Sequence, residues 1–505
     1  MKWLLRQIKK YPWLVAAIIL LCFTLPTLAR YSFWFDESYT SAITDHSARQ
    51  AIELTAVDVH PPLYYIVMFY WRDVFGSSDI AMRSLSVVFG VAALIFLYKL
   101  LARLFERRTA TVGTIFASLG PFVIRYSQEA RMYTLVATFI LASTYVLVVL
   151  MQRRLAARSL KLWVVYGLLI TACVYTHYFS SLILVPHLVY IIRVNQSPQT
   201  SGRLKRWLQA LRRVRKGLLV AGGISFGLFL PWLPTFMRQI GSVNNGFWIP
   251  QINELSISNL FGKILLYHDY DVRQISSYIT LLLLVIFLIS LTRWVRKQPS
   301  VDRQGYNLLL NSFWLPVLIL FLISAAPGTS SYFYVRYFAQ YAYFFYGLIG
   351  VVVWRLITTK RTQKIGLSLG MVIIIAFSIG ISNVLRGVDK RDNSANQTFQ
   401  IINQGYKSGD VIVALDFGVW FDLNHYNLTK QPVHYLYEQK DYGSLQPIFR
   451  QPGLRVESLS ELEGRRIWLA ASYGWQDFSL PAAWGQPIEV ANGRGSFVRL
   501  YELTD

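Results

Sequence analysis

The chain has 505 residues, 54% of them hydrophobic, and its 50 Lys and Arg against 27 Asp and Glu give a formal net charge of +23. Many separate apolar runs approach the roughly 20 residues needed to cross a bilayer, which excludes an ordinary soluble enzyme and predicts an integral membrane protein. Cys22 and Cys173 both lie inside apolar runs, so they indicate neither a disulfide framework nor a metal cluster.

Eleven apolar segments follow one another along the chain. In hydrocarbon each must be helical, because no water is present to satisfy the backbone polar groups. The sequence therefore predicts an all-α polytopic membrane protein with about 11 transmembrane helices. The segments lie near residues 13–29, 85–101, 109–124, 132–151, 162–178, 180–192, 218–233, 275–291, 308–326, 337–354 and 365–381. The first resembles a signal peptide, but its length favours an uncleaved helix.

Basic residues are concentrated in alternate loops. Glu106 and Asp302 are the only acidic residues in these loops, which cover residues 2–10, 99–108, 153–161, 193–216, 293–303 and 355–364. The positive-inside rule then predicts a multi-pass protein of the cytoplasmic membrane, with its N-terminus cytoplasmic and its C-terminus extracytoplasmic. The positive charge is thus interpreted as a topology signal and an attraction to anionic membrane lipids, and not as a nucleic-acid signal.

Three segments on the predicted outer side are long. Residues 30–83 contain a short apolar run, 63–71, which is too short to span and predicts an interfacial helix. The loop 234–273 carries Trp248, Lys263, His268, Asp269 and Asp271. The polar tail has strand-like runs at 410–415 and 466–471 and a helix start at 417–424, which predict a small extracytoplasmic α/β domain. The predicted domains are therefore 1–382, in the membrane, and 383–505, outside it.

The first outer segment begins with two adjacent acids and continues to a His-Pro-Pro sequence. Asp36 and Glu37 could simply stabilise the start of a helix, where acidic residues are favoured. Alternatively, they could provide a carboxylate that takes a proton from an attacking hydroxyl. His60 precedes Pro61 and Pro62, which makes its backbone extended. It is either a rigid entry to the next helix or a metal ligand or hydrogen-bond partner in a pocket.

Further charged and aromatic residues stand at the predicted outer ends of several spans. The segment 125–133, Arg-Tyr-Ser-Gln-Glu-Ala-Arg-Met-Tyr, places Glu129 and Arg131 where charge near lipid is costly. His177 ends the fifth apolar segment, and Arg336 precedes the tenth. Arg336 either snorkels to lipid headgroups or binds the phosphate of a lipid carrier through its planar fork of donors. Together these positions predict one extracytoplasmic active site.

This combination of motifs resembles the membrane glycosyltransferases of the GT-C fold, specifically glycosyltransferase family 39. The family includes the protein O-mannosyltransferases and the aminoarabinose transferases that modify lipid A. The resemblance is carried by the Asp-Glu pair at 36–37, His-Pro-Pro-Leu-Tyr-Tyr at 60–65 and Ser-Gln-Glu-Ala-Arg-Met-Tyr at 127–133. The His-Tyr pair at 177–178 and the Arg-Tyr pair at 336–337 also fit. It covers about residues 1–380.

The resemblance implies a polyprenyl-phosphate sugar donor, an acceptor hydroxyl on a glycan or lipid, and inversion at the anomeric carbon. A protein acceptor is less favoured, because the insert expected of eukaryotic protein mannosyltransferases does not occur in the sequence. The resemblance also assigns roles to residues. The catalytic pair is Asp36, as general base, with Glu37; the substrate and phosphate ligands are Gln128, Arg131, Tyr133, His177 and Arg336; and a divalent metal, used by some members, would be held by His60 and Glu129.

The main alternative is a transporter or a flippase of lipid-linked sugars. Such a protein is expected to place charged residues near the bilayer midplane and often to consist of two repeated halves. In this sequence the charges gather at the ends of spans, and no internal repeat is evident. An O-antigen-type ligase also uses lipid-linked sugars, but it would not need the Asp-Glu pair.

Overall fold

The structure is a computed structural model that describes residues 7, 10–152, 159–196, 202–244, 249–269, 275–326, 328, 330–387, 394–436, 454–462, 465–472, 484–492 and 496–502. The chain divides into two compact units. The helical unit comprises Met1–Pro26 and Arg83–Val388, and the sheet unit comprises Thr27–Met82 and Asp389–Asp505. Trp248 and Asp271 of the predicted outer loop lie outside the described residues. The predicted domains 1–382 and 383–505 stay a prediction.

The α-helices occupy most of the chain. In order they are α1 (Trp13–Thr24), α2 (Phe35–Thr44), α3 (Ala48–Val57), α4 (Leu63–Phe75), α5 (Asp79–Leu104), α6 (Arg107–Ser118), α7 (Pro121–Tyr126), α8 (Tyr133–Gln152), α9 (Leu160–Thr176), α10 (Leu184–Asn195), α11 (Arg203–Phe229), α12 (Leu233–Asn244), α13 (Ser256–Leu266), α14 (Ile275–Arg296), α15 (Ser300–Ser324), α16 (Ala339–Thr358), α17 (Gln363–Arg386), α18 (Ser394–Gly405) and α19 (Phe417–Tyr426). Short 3₁₀ turns join several of them.

Eight helical stretches of the described residues are long and apolar enough to cross a membrane. They are Asp79–Leu104, Tyr133–Gln152, Tyr178–Asn195, Arg203–Ser242, Ile275–Arg296, Ser300–Ser324, Val335–Thr358 and Gln363–Arg386, and each matches a segment that the sequence predicts. Trp13–Thr27, Leu160–Thr176 and Ser256–Leu266 are shorter apolar helices. The predicted polytopic, mostly helical fold is confirmed, whereas the count of about 11 spans stays a prediction.

The segment predicted to span near 109–124 is instead divided into two helices, α6 and α7. The chain turns at Leu119 and Gly120, and Pro121 begins the second helix at a position that needs no amide hydrogen. A side chain at Gly120 would meet the ring of Tyr346, since an added Cβ would lie 2.4 Å from it. Close packing at this turn therefore requires glycine, and the break brings α7 to the end of the bundle.

Small residues let the membrane helices approach each other closely. An added Cβ at Gly113 of α6 would lie 3.0 Å from the carbonyl oxygen of Gly347 in α16. One at Gly350 would lie 2.8 Å from the Cα of Gly113. Because lipid tails are as apolar as the side chains, such close backbone approach, and not hydrophobicity, drives helix association in a bilayer.

The C-terminal part of the sheet unit contains a mixed six-stranded sheet. Its strands are β1 (Val411–Ala414), β2 (Val433–Leu436), β3 (Arg455–Val456), β4 (Arg466–Ser472), β5 (Glu489–Asn492) and β6 (Ser496–Glu502), in the order β3-β2-β1-β4-β6-β5. β1 pairs in parallel with β2 and β4, and β6 runs antiparallel to β4. All four residues of β1 are buried, as expected of a central parallel strand. The predicted C-terminal α/β region is thus confirmed, including the strands at 410–415 and 466–471 and the helix at 417–424.

The first outer segment forms three short helices of the sheet unit, α2 to α4. The short apolar run at 63–71 is helical, within α4, as the sequence predicts. α3 begins with a capping box, in which Ser47 and Gln50 satisfy each other's backbone amides. α2 packs against α19, so the beginning of this unit is joined to a helix almost 400 residues further along the chain.

Candidate active site

The segment between α7 and α8 carries charged side chains into the interior of the helical unit. Glu129 is 1% exposed and Arg131 is 2% exposed. Arg125, one helical turn before Glu129, forms an ion pair with its carboxylate, and both side chains are buried. Ionised groups at such depth in a membrane protein are costly and are almost always functional, which sets this segment apart from the apolar helices around it.

Hydrogen bonds from three directions hold this segment. Ser86 of α5 donates its hydroxyl to the carbonyl oxygen of Glu129 at 2.5 Å. The same carbonyl accepts the backbone N–H of Arg131 at 2.7 Å. Arg125 donates its Nε–H to the hydroxyl of Tyr267 at 3.0 Å, just beyond α13. Gln128 donates to the carbonyl oxygen of Phe23 in α1 at 3.5 Å. The backbone of the segment and the side chains of Arg125 and Gln128 are thus fixed before any substrate arrives.

Aromatic rings link this segment to the other predicted residues of the helical unit. The ring centroids of Tyr133 and His177 are 6.4 Å apart, and those of His177 and Tyr337 are 5.2 Å apart. The ring centroids of Tyr334 and Tyr337 are 5.8 Å apart. The half-buried Arg336 lies over the ring of Tyr334, with its Cζ 4.5 Å from the ring centre. The end of α9, the start of α8 and the turn before α16 therefore meet at one end of the helical unit.

A lysine adds a positive charge beside the residues that hold Arg125. Lys263 of α13 lies with its Nζ 4.7 Å from the ring centre of Tyr267 and 2.7 Å from the carboxylate of Asp269. Tyr267 has a φ of +47°, in the left-handed region, where it ends α13, and its hydroxyl accepts the hydrogen bond from Arg125. A non-glycine residue there is strained, and such strain commonly marks functional sites.

In the sheet unit, Asp36 and Glu37 occupy the first turn of α2. No side chain caps this helix, because its N-cap residue is Trp34. Acidic groups at this position are stabilised by the positive end of the helix dipole. Glu37 is 1% exposed, whereas Asp36 is half-buried. Of the two adjacent acids, Asp36 is the more accessible, which is what a group that receives a proton from a substrate needs.

The face of α2 that carries Ser38 packs on α19. Ser38 donates its hydroxyl to Asp422 at 2.5 Å. The rings of Phe35 and Tyr39 contact the ring of Phe421 edge-on, at centroid distances of 5.7 and 5.4 Å. Burial raises the pKa of Asp422 to about 7, opposed by the hydrogen bond from Ser38, while the nearby carboxylates of Asp416 and Glu37 raise it further.

A second polar contact joins α2, α19 and the start of α5. Both ring nitrogens of His425 form hydrogen bonds. Nδ1 lies 2.9 Å from the hydroxyl of Ser41, and Nε2 lies 2.8 Å from the carboxylate of Asp79. Tyr426 donates its hydroxyl to the same carboxylate at 2.9 Å. The hydroxyl of Tyr426 also accepts the backbone N–H of Phe33 at 2.6 Å.

The predicted metal ligands have other partners. His60 lies with its Nδ1 2.8 Å from the carboxylate of Asp58. Burial raises the pKa of Asp58, but the charge and hydrogen bond of His60, with a backbone bond from Val59, outweigh it and hold the pKa below the ordinary value. Glu129 is paired with Arg125. No group of three or more His, Cys, Asp or Glu that could hold a metal occurs among the described residues. These residues do not fit a metal centre.

Sequence reasoning did not single out several residues that the structure brings to these places. Arg125 had a usable signal, since an arginine directly after the apolar residues 121–124 is expected to be paired or functional. Asp58 lies two residues before His60, a spacing that allows the observed contact. Asp422 and His425 had none, because their partners are Ser38 and Ser41, 384 residues away in each case.

Comparisons with known proteins find one family model and several solved structures that are similar to this chain. Residues 59–214 match the family model described as dolichyl-phosphate-mannose-protein mannosyltransferase. No curated protein matches the sequence of the whole chain. ArnT from Cupriavidus metallidurans bound to undecaprenyl phosphate is similar in structure, with a TM-score of 0.61, 12% identity and coverage of 97% of this chain and 98% of that one.

A second group of solved structures is similar over a large part of the chain. The Archaeoglobus fulgidus oligosaccharyltransferase in its apo form gives a TM-score of 0.52 at 10% identity, covering 91% of this chain and 69% of that one. The same enzyme tethered to an acceptor peptide containing the NVT sequon gives 0.50 at 11% identity, covering 83% and 63%. These likenesses confirm the predicted GT-C fold.

Proposed function

We propose that this chain, a multi-pass glycosyltransferase with the GT-C fold and of the protein mannosyltransferase type, moves a sugar from a polyprenyl-phosphate donor to an acceptor hydroxyl. The acceptor is a glycan or a lipid, and the reaction takes place at the outer face of the cytoplasmic membrane. Asp36 is the general base, and the anomeric carbon is inverted.

The observation that carries the proposal is the buried charged segment 125–133. Two arginines and a glutamate are held by hydrogen bonds at one end of an apolar bundle, and His177 and Arg336 reach the same end through contacting aromatic rings. A purely structural membrane protein has no reason to retain these charges, because burying them is costly. A donor whose phosphate is confined to the bilayer surface gives them a role.

The arginines act on the leaving group. When the acceptor oxygen attacks the anomeric carbon, the bond from that carbon to the phosphate oxygen breaks and polyprenyl phosphate leaves with the electron pair. Cations that are already in place lower the barrier, because they stabilise the negative charge as it develops. Arg131 and Arg336 have this role, with Gln128, Tyr133 and His177 orienting the sugar and the phosphate.

Asp36 acts on the nucleophile. An acceptor hydroxyl becomes a sufficient nucleophile only if its proton is removed in the transition state, and a positioned carboxylate can accept it. Asp36 is half-buried at the start of a helix, whereas its neighbour Glu37 is enclosed by protein. Glu37 then orients the acceptor or Asp36 and does not exchange a proton with the substrate. No step is assigned to a metal, because His60 and Glu129 are committed to Asp58 and Arg125.

The ArnT structure bound to undecaprenyl phosphate supports the choice of donor. The test is a reaction of the purified protein in proteoliposomes with radiolabelled polyprenyl-phosphate hexose and extracts of envelope glycans and lipids. We expect label to enter an acceptor while free polyprenyl phosphate appears in equal amount. Movement of intact donor across the bilayer without release of polyprenyl phosphate would favour the flippase alternative.

A further inference from the structure

α2, the helix that carries Asp36, is too short to be stable by itself. It has 10 residues, and isolated helices below about 12–15 residues are marginal in water. It also lacks a side-chain N-cap, which ordinarily stabilises a helix start by about 1 kcal/mol. The position and the order of α2 must therefore come from tertiary contacts, and α19 of the C-terminal region supplies many of them.

Helical geometry separates the residues of α2 into two sides. At 3.6 residues per turn, Phe35, Ser38 and Tyr39 share the side that contacts α19, and Ser41 borders it. Asp36 and Thr40 lie outside this side of the helix, and Thr40 is fully buried. The contacts with α19 therefore hold one side of the helix, and the half-buried side chain of Asp36 lies outside that side.

The contacts are also directional. Asp79 accepts a hydrogen bond from Tyr426 and lies 2.8 Å from Nε2 of His425, while Nδ1 of His425 lies 2.9 Å from the hydroxyl of Ser41. The ring of His425 stacks on that of Phe33 with centroids 4.2 Å apart. One histidine thus joins the residues before α2, the middle of α2 and the start of α5, all within the sheet unit.

We propose that α19 of the C-terminal region is the support that positions the catalytic carboxylate, with His425 and Ser41 as positioning residues for Asp36. This role rests on the proposed function of Asp36. It gives the C-terminal region a part in the transfer reaction itself, through the placement of α2, and it requires no contact between α19 and the substrate. A displacement of about 1 Å of a catalytic group can cost on the order of 100-fold in rate.

The test measures kcat, KM for the donor and the unfolding temperature of the full-length protein for four variants. These are Ser41→Ala, His425→Ala, their combination and His425→Gln, which keeps a donor for Asp79. The matched control is Asn424→Ala, because Asn424 is exposed on the same helix and donates to the carbonyl oxygen of Trp420 in its own helix. The number of donor-binding sites is measured for each variant, and kcat is divided by that number so that unfolded protein does not lower the apparent rate.

We expect His425→Ala to lower kcat per donor site about 10- to 100-fold with KM nearly unchanged, and Ser41→Ala to lower it less. The combination should be no worse than His425→Ala alone, since both remove one contact, and His425→Gln should restore part of the rate. Asn424→Ala should behave as the unchanged protein. If His425→Ala lowers the unfolding temperature while kcat per donor site stays unchanged, the contact is merely structural and the inference is overturned. If His425→Ala does not fold, kcat per donor site is compared for Ser41→Ala instead, and an unchanged value overturns the inference in the same way.

Asp36→Asn is measured in parallel. If that variant is inactive while Ser41→Ala and His425→Ala transfer normally, the role of α19 is wrong and the proposed function stands. If Asp36→Asn transfers sugar at the normal rate, the assignment of the base is wrong, and the positioning role falls with it.

Discussion

The two acidic groups with the most prominent predicted roles are held in opposite ways. Glu129, in the helical unit, is neutralised by Arg125 from the preceding helical turn, so its principal partner is local. Asp36, in the sheet unit, lies on a helix whose other side is fixed by Asp422 and His425 from the far end of the sequence. A buried charge needs its counter-charge close by, whereas a group that must react with a substrate needs a firm support and partial exposure.

The largest effect is expected from Asp36 on α2. Asp36→Asn removes the proton acceptor and keeps the shape, so we expect a loss of transfer of about 100- to 10,000-fold with donor binding nearly unchanged. A transfer assay and a binding measurement with the same labelled donor check this. Glu53→Gln, an exposed change in neighbouring α3, is the control. Normal transfer by Asp36→Asn would remove Asp36 as the base.

The next effect concerns the local pair. Arg125–Glu129 and Arg49–Glu53 have the same spacing, Arg at one position and Glu four residues later, but the first pair is buried and the second is exposed. Glu129→Gln should destabilise the folded protein by about 3 kcal/mol, because it leaves a buried guanidinium without its carboxylate. Glu53→Gln should change stability very little. Denaturation in detergent compares the two variants, and equal stabilities would contradict the distinction between them.

A smaller effect is expected at Arg336, which is half-buried and held over the ring of Tyr334. A charge-assisted hydrogen bond contributes about 1.5–3 kcal/mol, so Arg336→Ala should weaken donor binding about 10- to 100-fold. Arg336→Lys keeps the charge but loses the planar fork, and it should lose less. Donor affinity measured for all three forms decides the matter. Equal affinities would mean that this arginine only reaches toward lipid headgroups.

The smallest effect lies in the support behind α2. The pKa of Asp422 is about 7 in the folded protein, above its ordinary value of 3.8, so the folded state holds this proton more tightly than the unfolded state. Its contribution to stability is therefore complete below about pH 4 and is lost as the pH rises through 7. Between pH 6 and pH 8 this loss is about 1 kcal/mol.

Asp422→Asn removes this dependence while it keeps an acceptor for Ser38. We expect its unfolding temperature to fall less than that of the unchanged protein between pH 6 and pH 8. Asp73→Asn is a suitable control, because Asp73 is exposed on α4. Identical pH profiles for Asp422→Asn and the unchanged protein would show that this carboxyl titrates normally.

Patterns of neighbouring residues predicted much of the fold. Long apolar runs identified the membrane helices, and the polar tail with strand-like runs identified the sheet of the C-terminal region. The division of 109–124 into α6 and α7 was not predicted, although Gly120 and Pro121 are a local signal for a helix break. The ring of Tyr346, distant in sequence, packs against this break at Gly120. The sequence also pointed to the segment 125–133, because charged residues directly beside apolar runs stand out without any knowledge of the fold.

What the sequence by itself determined is the membrane character of the chain and the charged and aromatic residues that bracket its helices, because the bilayer imposes length, polarity and charge rules on neighbouring residues. What only the tertiary structure decided is which side of α2 is covered and by what. Ser38 and Ser41 meet Asp422 and His425 across 384 residues. Hydrogen bonds between side chains that are distant in sequence leave no periodic signal, and only folding brings these groups together.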